Sequence, residues 1–69
     1  MITTAAQLQQ ALEQMQRLCR ALDSLRADIL PQNPKNFAIL AEGPVDEIRK
    51  LQAEIDAYIS RLEAVDATA

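Results

Sequence analysis

The sequence predicts an all-α protein, an antiparallel helical hairpin with a short connecting helix that dimerises into a four-helix bundle. Three observations carry this expectation: apolar residues recurring every seven positions in two long stretches, a proline-rich elbow between them, and a composition poor in the residues that build sheets. Aromatic residues make up 3% of the 69 residues and glycine occurs once, whereas alanine, leucine, glutamine and glutamate abound. That balance favours helix over pleated strands and leaves little material for tight hairpin turns. The whole chain, residues 1–69, reads as one domain.

The first helix is expected over about residues 4–29. Thr4-Ala5-Ala6-Gln7 has the spacing of a capping box, in which the threonine hydroxyl accepts from a free amide and the glutamine reaches back to the cap. Leu8, Met15, Leu22 and Ile29 then form one seven-residue row and Ala11, Leu18 and Leu25 a second. Together they make the seam of a helical bundle. Leu12 and Cys19 widen that seam beyond what a strict two-stranded coiled coil needs, so the stripe suits a helix with more than one neighbour.

Pro31 and Pro34 end this helix, because each lacks an amide hydrogen and disfavours helical geometry in the residue before it. Asn33-Pro34 reads as a new cap and first turn. A short helix is expected over about residues 34–42, closing at Gly43 in a left-handed conformation. Phe37, Ile39 and Leu40 in this elbow demand cover. They either plug the open end of the bundle or form a patch for a different protein.

Pro44 is placed to open the second long helix, over about residues 44–64, with Asp46 and Glu47 in its first turn. Ile48, Ile55 and Leu62 make one row, and Leu51, Tyr58 and Val65 another, with Ile59 beside them. Asp46 to Lys50 and Glu13 to Arg17 are favourable four-residue pairs. Beyond Ala64 a frayed tail is expected.

Such a short chain buries a small fraction of its surface on its own, and neither disulfides nor a structural metal can compensate, with one cysteine and no histidine. Self-association is the remaining common remedy. The expected seam comprises Leu8, Met15, Leu18, Leu22 and Leu25 on the first helix, and Ile48, Leu51, Ile55, Tyr58 and Leu62 on the second.

Chemistry is sparse. Nucleophilic catalysis by Cys19 lacks a histidine base, so Cys19 is expected to be a small core residue. Glu47 and Glu54 share a helical face at a spacing that can hold metals, but the histidines of such sites are missing and a solvated, ion-paired face is expected. One glycine excludes phosphate loops and dinucleotide fingerprints. The charge, -3 overall, is uneven: residues 1–36 sum to about +1 and the remainder to about -4. Acidic residues flank Arg17, Arg20 and Arg26 without any aromatic platform, so nucleic acid is not an expected partner. No apolar run reaches the roughly 18 residues of a membrane span, and no signal peptide is visible, so no membrane and a cytoplasmic location are expected. No catalytic residue, cofactor or metal is expected. The function class is a non-enzymatic protein-interaction or oligomerisation module, with the chain itself as first partner.

The opening Met1-Ile2-Thr3 with its glutamine-rich helix, and the stretch Glu47-Ile48-Arg49-Lys50-Leu51-Gln52-Ala53-Glu54-Ile55-Asp56-Ala57-Tyr58, resemble the helical segment preceding the DNA-binding domain of HigA-like bacterial antitoxins. The resemblance covers the two long helices and not the elbow. It implies a dimerising or partner-binding role, and with it the alternative reading: a small regulatory or antitoxin-like protein whose hairpin binds a different protein. No helix-turn-helix is included, so DNA binding is not implied. The layout also resembles hairpin dimers of the Rop type in architecture alone.

Overall fold

Thr4 begins the first helix through a reciprocal cap. Its hydroxyl accepts from the Gln7 amide at 3.1 Å, and the Gln7 side-chain oxygen accepts from the Thr4 amide at 3.2 Å and from the Thr3 amide at 2.7 Å. In the computed structural model, which describes residues 1–68, this helix is α1 (Ala5–Asp28) and the second is α2 (Pro34–Thr68). The two pack against each other as a hairpin, and the described residues contain no strand.

The connection spans one turn. The Ile29 amide still donates to the Leu25 carbonyl at 2.8 Å, and the Ile29 carbonyl accepts from Gln32 at 3.1 Å and Asn33 at 2.8 Å. Asn33 then caps α2, its side-chain oxygen accepting from the Asn36 amide at 3.0 Å. Pro34 occupies the first helical position, where a missing amide hydrogen costs nothing.

The separate short helix expected at about residues 34–42 does not exist. It forms the first turns of α2, which continues through Gly43 and Pro44 without a break, and no residue takes a positive φ. Two physical reasons account for this. A proline clashes with the Cβ of the residue before it when that residue is helical, and Gly43 has no Cβ. The apolar rows also keep their phase across the junction: Ala41, Ile48, Ile55 and Leu62 are seven apart, as are Phe37, Pro44, Leu51 and Tyr58. A break at Gly43 would destroy that alignment. The continuous helix leaves the Leu40 carbonyl without its usual amide donor, a loss tertiary packing must outweigh. The tail expected to fray beyond Ala64 is helical through Thr68, while Ala69 lies outside the described residues.

At about 1.5 Å per residue, α2 is roughly 52 Å long, so it sets the 55 Å length of a molecule only 18 by 15 Å across. The radius of gyration, 15.8 Å, exceeds the roughly 11 Å of a compact chain of this size. No helix among the described residues is long and apolar enough to cross a membrane.

Candidate functional site: an open apolar face

Three of the four buried apolar side chains among the described residues gather at one end. Ile2, Ala11 and Ile55 form a cluster, with Leu8, Met15, Leu51 and Tyr58 packed around it. Ile2, before the first helix, is 4% exposed. Met1 and Ile2 lie across α2 as a strap: the Arg61 guanidinium donates to the Ile2 carbonyl and sits 5.8 Å from the Tyr58 ring centroid, and the terminal amine approaches Glu54 at 3.9 Å. Ile2 lies outside the expected seam. Its only sequence signal is an isoleucine just before a threonine cap, near the position from which a hydrophobic staple packs onto the helix.

The elbow end is different. Ala41 is its one buried apolar residue. Of the ten expected seam residues Ile55 is buried, Leu62 is exposed, and the other eight are half-buried. The helices bring these rows together but do not enclose them. The elbow trio separates: Phe37 is half-buried, whereas Ile39 is 63% and Leu40 45% exposed. Ile39 and Leu40 therefore do not plug the end of the hairpin.

Cys19 is exposed, not a core residue as expected. It lies seven positions after Leu12, on the flank of the α1 stripe, and one neighbouring helix cannot wrap that flank. Leu12, Met15, Gln16, Cys19 and Arg20 line a shallow depression there. A second depression, between the helices, is lined by Cys19, Leu22, Phe37, Ala41 and Val45, with Asp23 and Arg26 at its margin. The two depressions have Cys19 in common.

Charged groups form ordinary surface pairs. Arg26 donates to Asp23 at 2.8 Å, and Lys50 approaches Asp46 at 3.3 Å and Glu47 at 3.8 Å. The hydrogen bond and charge of Asp46, with the charge of Glu47, raise the Lys50 pKa above its ordinary value. In place of the expected Glu13–Arg17 pair, Glu13 accepts from the Gln9 amide group at 3.4 Å. Glu47 and Glu54 face cations, Lys50 and the terminal amine, and not each other. Among the described residues, no three His, Cys, Asp or Glu side chains gather as a metal site would require.

The accessible surface is 5239 Å². A compact monomer of 7.7 kDa would expose about 4,300 Å². The excess, about 900 Å², goes with the elongated shape of the hairpin. No protein-family model, curated protein or solved structure matches the chain.

Proposed function

We propose that the chain is a non-enzymatic oligomerisation module whose hairpin pairs with a second copy to form a homodimeric four-helix bundle. The observation that carries this reading is the state of the seam: of ten apolar positions on two facing helices, only Ile55 is buried within the single chain. Half-buried leucines and isoleucines gain roughly 25 cal/mol for each further Å² removed from water. A second hairpin supplies that cover.

Sedimentation at micromolar concentration tests the proposal. A particle of twice 7.7 kDa is expected, dissociating on dilution with loss of helicity as the seam is exposed. Monomer at every concentration, with helicity and stability unchanged, would refute it. A monomer that co-purifies in fixed ratio with another protein would instead favour the regulatory or antitoxin-like reading, in which foreign helices complete the bundle.

A further inference from the structure

We infer that residues 1–3 are a hinged strap, fastened at its root by Gln7 and at its tip by Arg61, which opens and closes over the apolar cluster while both helices stay folded. A capping box needs only that the Gln7 oxygen accept from the Thr4 amide. The same oxygen also accepts from the Thr3 amide at 2.7 Å and the Thr3 hydroxyl at 2.8 Å. Thr3 is thereby fixed one residue outside the cap, and the chain before it runs to α2. There Arg61 donates to the Ile2 carbonyl across 59 positions of sequence, its guanidinium 5.8 Å from the Tyr58 ring centroid. Between the two fastenings one enclosed side chain, Ile2, lies against Ala11 and Ile55.

The strap is built to move separately from what it covers. Among the described residues, no backbone group of residues 1–3 pairs with another backbone group, so opening breaks none of the helical ladder. A segment held by one buried side chain and a few side-chain hydrogen bonds belongs to the low end of the range of local stabilities. What it uncovers is large by comparison. Leu8, Met15, Leu51 and Tyr58 pack around the cluster, and with Ile55 they are half of the expected seam. The strap therefore sets how accessible that half is, whether or not the hairpin pairs with a second copy. Because its root is on α1 and its tip on α2, closure also ties the start of one helix to the far part of the other.

A thiol placed under the strap measures the opening. In Ile2→Cys combined with Cys19→Ser, labelling by a maleimide is expected to be at least about 20-fold slower than in the urea-unfolded chain, because a thiol must be accessible to react. The rate should change little with low urea, since opening exposes far less surface than unfolding. At one protein concentration and unchanged helicity, Gln7→Ala and Arg61→Met should each speed labelling at least about fivefold, and Gln7→Glu, whose carboxylate still accepts from Thr3, should stay within about twofold. Unfolding of the chain with its native cysteine gives a second measurement. Arg61→Met is expected to shift the unfolding constant about fivefold in the unaltered chain and less than about twofold once Ile2→Ala has removed the side chain the strap holds. A thiol that reacts as fast as in the unfolded chain, a rate that climbs with urea along the full unfolding slope, or fastening variants that leave the rate unchanged and add independently to Ile2→Ala, would each overturn the strap as a separate moving part.

Discussion

The two ends of the hairpin are built from the same helices and the same kinds of residue, yet of the four buried apolar side chains among the described residues three lie at the strap end and one at the elbow. At the strap end, Ile2 lies over Ala11 and Ile55, and all three are buried. At the elbow end, Leu22, Phe37 and Val45 line a shallow depression and only Ala41 is buried. The difference is the presence of a third surface. Two cylinders meet along a line, and side chains on either side of that line stay wet until something spans them. One isoleucine before α1 does this at one end, and no described segment of the chain does it at the other.

The largest effect should come from removing the strap's anchor. Ile2→Ala deletes a nearly enclosed side chain and is expected to cost about 3 kcal/mol in urea unfolding. Ile39→Ala, at a position 63% exposed, should change stability by less than about 0.5 kcal/mol. Equal losses at the two sites would erase the contrast between the ends.

Pro44→Ala comes next, and its sign is the opposite. Within a continuous α2 it restores the amide donor to Leu40, so a gain of about 2 kcal/mol is expected, being the roughly 3 kcal/mol interior proline penalty less about 1 for greater freedom of the unfolded chain. Were α2 two helices meeting at Gly43, the same substitution would be neutral or harmful.

At the strap's other edge, Thr4→Ala removes the cap and is expected to cost about 1 kcal/mol. The thermal midpoint of the variant measures it. The smallest effect concerns Lys50, whose raised pKa arises from Asp46 and Glu47. A pKa higher in the folded chain means the ammonium's stabilisation is fully present below the ordinary lysine range and is lost as pH rises through the folded value. Such a solvent-facing pair contributes little. Its signature is therefore a slight alkaline decline in the midpoint that Lys50→Gln abolishes.

Much of the fold was legible from local chemistry. The capping box at Thr4 and Gln7, the Asn33-Pro34 start and the Asp46–Lys50 pair depend on residues three or four apart, and they form within their own helices. The junction at Gly43-Pro44 defeats a local reading because proline and glycine each signal a boundary in isolation. The contrary signal, a seven-residue row running through Pro44 itself, extends over four turns and more. The width that Leu12 and Cys19 add to the stripe is legible in the sequence, whereas the exposure of Cys19 is not, because free cysteines are ordinarily buried.

The sequence by itself determined two amphipathic helices, their caps and the turn between them, since periodicity and capping act through neighbours along the chain. Only the tertiary structure decided which apolar residues are enclosed. Ile2, Ala11 and Ile55 are brought together from three places in the chain, and that enclosure depends on where a third surface crosses the helix pair, a matter of geometry in space that no seven-residue rhythm encodes.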